Sequence, residues 1–191
     1  MMIKQIKVGF AKSDKKSWIS ACSSVTLIKE SKKIILVDCG GRGFFDEIKK
    51  SLKKEGVSPK DVTHIVSTHS HLDHVWNGAF FENADFINSG GVLKKKFYWK
   101  RLPLKIGRNV EVISTQGHSS DSCSVVFREK GKVYCVAGDL FYSDAKKMPS
   151  FERNVEEIMK NREKILKMAD FIVPGHGKIF EVNDEESKVN L

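Results

Sequence analysis

A chain of 191 residues with 40% hydrophobic content can bury one generous core and is too short for two, so a single domain over 1–191 is expected. The formal net charge of +9 is spread over 30% charged residues, so basic and acidic groups are interleaved; this argues against a nucleic-acid-binding tail but not against a basic patch. The first residues lack the apolar core of a signal peptide and no apolar run reaches membrane-spanning length, so a cytoplasmic protein with no membrane partner is expected.

Residues 3–10 alternate apolar and polar at Ile6, Val8 and Phe10, which predicts a half-buried strand opening a hairpin-like start. Residues 25–28 and 33–37 predict two further strands, the second running into Asp38-Cys39-Gly40-Gly41. Phe44, Phe45, Ile48 and Leu52 then recur at helical spacing with lysines opposite, until Gly56 and Pro59 end the pattern. A short strand over 62–67 delivers Thr68-His69-Ser70-His71-Leu72-Asp73-His74, followed by a short helix over 75–81 and a strand over 84–88. A basic, aromatic loop covers 94–105. Beyond it come a strand over 110–114 leading to Gly117-His118, and a hairpin of 123–127 with 133–137 ending at Gly138-Asp139. Apolar residues from Phe151 to Ala169 keep a period near 3.6 and predict a helix, which feeds a strand over 171–173 and then Pro174-Gly175-His176-Gly177. Cys22, Cys39, Cys123 and Cys135 are widely spaced, never form C-x-x-C and sit in apolar surroundings, so buried free thiols are expected.

Packing gives no reason to crowd three imidazoles and a carboxylate into six residues, 69–74. Imidazole nitrogen and carboxylate oxygen are ligands of zinc and similar ions, and burying them without a cation is costly. The same device recurs, since short strands end near His69, His118, Asp139 and His176. Strand ends converge at a sheet edge, so residues distant in sequence can meet there. The glycines before His118, Asp139 and His176 let the chain turn sharply at each position. The candidate metal ligands are His69, His71, Asp73, His74, His118, Asp139 and His176, too many for one tetrahedral ion and suited to two ions sharing a bridge. His64 lies one strand-length earlier and is expected to be a structural or surface histidine rather than a ligand.

In order, spacing and flanking glycines these motifs resemble the metallo-β-lactamase superfamily, from the first strands to His176. The resemblance implies an α/β fold, a four-layer αββα sandwich, and two divalent metal ions, zinc first, with iron or manganese as alternatives. One ion would be held by His69, His71 and His118, the other by Asp73, His74 and His176, with Asp139 bridging and Asp38 supporting the histidine loop. It implies a metal-dependent hydrolase in which a metal-bridging hydroxide cleaves an ester, thioester, lactone or phosphodiester. Asp73 would be catalytic, orienting the hydroxide and carrying its proton to the leaving group.

The shared site does not choose a substrate. Only 15 residues follow His176, short for a glutathione-binding helical domain, and Asp139 stands where well-known zinc β-lactamases carry cysteine, so neither thiol-ester hydrolysis of the glyoxalase II kind nor antibiotic hydrolysis is expected. A small-molecule substrate is the first expectation. The stretches 117–126, 136–141 and 169–177 are most similar to compact single-domain members of the superfamily, among which a ribonuclease is known, so cleavage of single-stranded RNA is an alternative. Phe97, Tyr98 and Trp99 among the lysines of 94–105 could stack bases. The plainer expectation for that segment is a charged loop whose aromatics pack on the domain or form a homodimer contact. Trp76, Phe141 and Tyr142 follow ligands closely and either line the pocket or simply pack. A non-hydrolytic iron-binding or sensing domain is the remaining alternative.

Overall fold

The computed structural model describes residues 1–13, 18–94, 96–145, 148, 152 and 154–183. In chain order come strands β1 (Met2–Lys7), β2 (Phe10–Ser13), β3 (Trp18–Cys22), β4 (Val25–Glu30) and β5 (Lys33–Val37), then helix α1 (Phe45–Lys54). Strand β6 (His64–Val66), helix α2 (Leu72–Val75), and strands β7 (Asp85–Asn88), β8 (Gly91–Leu93), β9 (Phe97–Trp99) and β10 (Leu104–Lys105) follow. The remainder holds β11 (Val110–Ser114), β12 (Cys123–Glu129), β13 (Lys132–Gly138), helix α3 (Val155–Leu166), β14 (Phe171–Pro174) and β15 (Phe180–Glu181).

Among the described residues these strands form a seven-stranded sheet, β1-β4-β5-β6-β7-β8-β9, a six-stranded sheet, β10-β11-β12-β13-β14-β15, and a separate ribbon of β2 with β3. Both large sheets are mixed: β5, β6 and β7 run parallel, as do β13 and β14, and their other pairings are antiparallel.

The central strands are apolar on both faces, and alternation sends each face to a different core. Ile35, Val37 and Val66 of the first sheet meet Val125, Phe127, Val136 and Val173 of the second in a core between the sheets. Leu36 and Ile65 point the other way, onto Ile48 and Leu52 of α1. Val126, Cys135 and Ile172 likewise face outward onto Ile158 and Ile165 of α3. The result is helix, sheet, sheet, helix, the four layers expected. Helix α1 is held by its buried Ile48 and Leu52, each contributing about 1.5–3 kcal/mol, while Asp46 and Glu47 in its first turn and Lys53 and Lys54 in its last complement the helix dipole. All four cysteines are buried and free, and burial pushes each thiol pKa up.

Three elements differ from expectation. The opening strand does not reach Phe10: β1 ends at Lys7 and pairs with β4, and the hairpin-like pairing falls to the ribbon that Phe10 begins, β2 antiparallel to β3. The helix expected over 75–81 starts inside the histidine run, at Leu72, and gives way to a 3-10 turn at Gly78–Phe80, because the buried Asn77 amide donates to Cys39 O and Gly41 O. The basic loop of 94–105 contributes two short strands, β9 and β10, each at the edge of a sheet. Helix α3 begins at Val155, and Phe151, expected at its start, lies outside the described residues.

Candidate metal centre

Parallel pairing of β5 with β6 sets the site's foundation, because it brings Asp38, the residue after β5, beside Thr68, two residues after β6. Asp38 N–H donates to Val66 O at 2.8 Å, and its side chain accepts from Thr68 N–H at 2.8 Å and Thr68 Oγ1 at 2.9 Å. It also accepts from His74 Nδ1 at 2.8 Å. Asp38 is buried and takes a left-handed backbone, φ 57°, a conformation that Asp and Asn tolerate better than most residues.

The second sheet meets this loop from the other side. Cys123 N–H donates to Thr68 O at 2.7 Å, and Gly138, φ 55°, lies so close that a Cβ there would sit 2.5 Å from Thr68 Oγ1. Asp139 leaves β13 directly after that glycine and is buried. Gly175 needs no unusual φ. A Cβ at that position would fall 1.8 Å from Asp139 Oδ1, so close packing, rather than the sharp turn expected, is what demands glycine before His176.

With each backbone placed, one ring nitrogen of His74, His118 and His176 is tied outward and the other faces the cluster, as metal-binding histidines require. His74 Nδ1 donates to Asp38. His118 Nδ1 donates to Glu152 Oε1 at 2.7 Å, and His176 Nδ1 to Phe10 O at 3.1 Å, with Cys22 O at 3.3 Å. The inward atoms crowd together: His74 Nε2 is 3.3 Å from Asp139 Oδ1, His118 Nε2 is 3.5 Å and His176 Nε2 is 3.3 Å from Asp139 Oδ2, and His176 Nε2 is 3.4 Å from Asp73 Oδ2. His71 Nδ1 and His118 Nε2 stand 3.1 Å apart. Two groups result, His69, His71, His118 and Asp139, and Asp73, His74 and His176; within each, one ligand atom per residue lies within 4.8 Å of the others. The structure thus brings together every candidate ligand of the sequence analysis and leaves out His64, which is half-buried against Thr63 Oγ1.

The donor set fits divalent cations. His69 Nε2, His74 Nε2 and Asp139 Oδ1 are buried without a hydrogen-bond partner, three inward atoms that a bound cation would satisfy. Burial opposes charge on His74, but the Asp38 and Asp139 carboxylates outweigh it and raise its pKa well above the ordinary value; His176 is raised against burial by Asp139. Burial would raise the Asp139 pKa, yet His74 and His176 hold it well below the usual carboxylate range. His69 and His71 are depressed by burial and by neighbouring histidines.

Some of the surroundings carried no signal in the sequence. Glu152 lies before α3 in a stretch without pattern, and only the fold shows it buried against His118. The ribbon of β2 and β3 walls the cavity over the site through Ala11, Ser20 and Ala21, and its carbonyls orient His176. Trp76 and Tyr142 line that cavity, about 550 Å³ in volume, whereas Phe141 is core.

A two-sheet sandwich with clustered histidines and aspartates at its strand ends agrees with what similar proteins show. The family model "Metallo-beta-lactamase superfamily" matches residues 23–114. Metallo-beta-lactamase domain-containing protein 1 of Xenopus laevis is 35% identical over 185 residues, 91% of this chain and 78% of that protein. The Homo sapiens protein of the same name is 34% identical, and the chain spans 62% of its length. A Methanocaldococcus jannaschii protein called "Probable metallo-hydrolase" is 29% identical over 146 residues, 74% of this chain and 70% of that one. Among solved structures, a metallo-beta-lactamase candidate from Thermotoga maritima superposes with TM-score 0.76 at 20% identity, covering 94% of this chain and 98% of that one. The dizinc quorum-quenching lactonase AidC superposes with TM-score 0.64 at 20% identity, covering 82% and 72%. The chain belongs to the metallo-beta-lactamase superfamily.

Proposed function

We propose that this chain is a hydrolase that works with two divalent metal ions, zinc first, acting on an ester, thioester, lactone or phosphodiester of a small molecule. The observation that carries this is the pair of ligand groups sharing one edge of the sandwich, with three inward-facing atoms left unsatisfied by the protein. His69, His71 and His118 would hold one ion, Asp73, His74 and His176 the other, and Asp139 lies between the groups, within 3.5 Å of His74, His118 and His176. Two cations held there would supply a water of near-neutral pKa and stabilisation of charge developing on the attacked group. Asp38, Glu152 and the ribbon carbonyls fix the imidazoles of His74, His118 and His176 so that the free nitrogen of each points inward. Asp73 has a side chain 25% exposed and lines the cavity, so its carboxylate can accept the proton of an attacking water and return it to the leaving group. Phe44, Leu72 and Trp76 supply apolar walls beside it.

The test is a panel of thioester, lactone, carboxylic ester, phosphodiester and single-stranded RNA substrates on purified protein of known metal content, with His71→Ala as blank. Turnover of at least one substrate above the blank, lost on chelation and restored by metal, is expected. No turnover of any with two ions bound would remove the hydrolase reading for these classes.

One observation favours RNA as a second substrate class. Strand β9 runs parallel to β5 and β6, so Trp99, 82% exposed, and Lys100 and Arg101 after it emerge at the same edge as Asp38 and Thr68. Binding of an oligoribonucleotide that weakens steeply with salt and is lost in Trp99→Ala would support it; binding unaffected by either would not.

A further inference from the structure

The cavity over the metal centre contains one cation that the mechanism leaves without a task. Apart from the candidate ligands its walls are mainly apolar, with Ala11, Ala21, Phe44, Leu72 and Trp76 prominent, and among the described residues Arg42 is the sole lysine or arginine that lines it. The Arg42 guanidinium lies 5.7 Å from the centroid of the Trp76 ring, and among the described residues no carboxylate pairs with it. Its position is built into the backbone. Gly40 and Gly43, φ 74° and 85°, frame the turn that presents it, and Gly41 is pressed so close to Asp73 that an added Cβ would lie 3.3 Å from Asp73 Cα. Arg42 therefore starts one residue from contact with a candidate ligand.

A surface arginine with its guanidinium over an indole would be unremarked anywhere else on a protein of net charge +9. Here it shares a cavity with the reacting centre, and an indole face leaves the in-plane N–H groups of a guanidinium free to bind an oxyanion in bidentate fashion. One cation within apolar walls matches one negative group on an apolar body. A polyanion would call for a row of cations inside the cavity, and the basic residues near β9 are not among its lining.

We propose that Arg42 binds a single oxyanion, a carboxylate or a phosphate monoester, at one end of a substrate whose apolar part lies along Phe44, Leu72 and Trp76. This rests on the hydrolase reading of the site, but its binding half can be measured without turnover. Calorimetric titration of the metal-free full chain with hexanoylglycine, hexyl phosphate and the uncharged hexanoylglycinamide separates the two anions from a neutral body of similar shape. At least one anion is expected to bind about 10- to 100-fold more tightly than the amide. That advantage should vanish in Arg42→Met, which keeps a long unbranched side chain without the charge, and return in part in Arg42→Lys. Equal binding of all three, an anion advantage that survives in Arg42→Met, or tighter binding of a short oligouridylate than of either single anion would overturn the proposal. In metal-loaded protein the kcat/KM ratio of monophenyl glutarate to phenyl pentanoate should fall by the same factor in Arg42→Met. If no ester turns over above the His71→Ala blank while the anion advantage in the titration holds and depends on Arg42, the hydrolase reading fails and the Arg42 site stands.

Discussion

Replacing Asp38 by asparagine preserves the shape of the side chain and a residue type that tolerates φ 57°, so the backbone has no reason to move. What changes is the hydrogen-bond chemistry. The carboxylate accepts from Thr68 N–H, Thr68 Oγ1 and His74 Nδ1, at 2.8, 2.9 and 2.8 Å. An asparagine oxygen can keep the first, but its NH₂ then faces the other two and must donate. All three bonds lose the carboxylate's charge, going from about 1.5–3 kcal/mol each to about 0.5–1.5 kcal/mol, a net cost of about 3–4.5 kcal/mol against a total stability of about 5–15 kcal/mol. The larger effect falls on His74. With a donor opposite Nδ1, the ring proton must move to Nε2, the atom 3.3 Å from Asp139 Oδ1 that would ligate the second ion. Asp38→Asn should therefore fold, unfold at lower urea concentration when metal-free, and lose affinity for one of two ions by about 10- to 100-fold or more. Equilibrium dialysis with elemental analysis counts the ions, and urea titration of the chelator-treated protein measures the stability. A variant that holds two ions as tightly as the wild type and unfolds at the same midpoint would show that Asp38 neither sets the His74 tautomer nor anchors the loop.

Three further outcomes follow from the same geometry. Gly175→Ala puts a Cβ 1.8 Å from Asp139 Oδ1, so the carboxylate must rotate away and both ions should bind at least tenfold more weakly, while Gly90→Ala, whose Cβ would meet its nearest atom at 3.4 Å, should leave metal content near two; equal metal content in the two variants would count against close packing as the reason for Gly175. Glu152→Gln should cut affinity for one ion by about 10- to 100-fold because the partner of His118 Nδ1 loses its charge, with the other ion unaffected in competitive chelator titration. Burial lowers the pKa of His64 in the folded chain, so the unfolded chain takes up a proton first and stability present above about pH 6.5 is lost as pH falls; His64→Gln should flatten that loss between about pH 7 and 5 in urea titrations, and an unchanged slope would assign the pH dependence elsewhere.

Much of the site was legible before folding because its chemistry is local. Three histidines and an aspartate in six residues announce a metal run whatever surrounds them, and apolar stretches ending in Asp38, His118, Asp139 and His176 say that strand ends deliver the remaining groups. The alternating burial of Leu36 against Ile35 and Val37, and of Val126 against Val125 and Phe127, follows from strand periodicity, so the two-sheet sandwich was also within reach. Short, weakly patterned strands were not: β8, β9 and β10 gain their hydrogen bonds from neighbours that periodicity does not reveal, and Phe10 was drawn into the first strand by alternation although it pairs with Cys22.

The amino-acid order by itself determined which residue types could hold metal and which strand ends would carry them, since those depend on side-chain chemistry and a period of two. Only the tertiary structure decided what stands behind and beside them: Glu152 on His118, the ribbon carbonyls on His176, Asp139 against Gly175, and Arg42 on the lip of the cavity. These are meetings of segments up to 166 residues apart, from Phe10 to His176, and a meeting is fixed by how layers pack rather than by the chemistry of either segment alone.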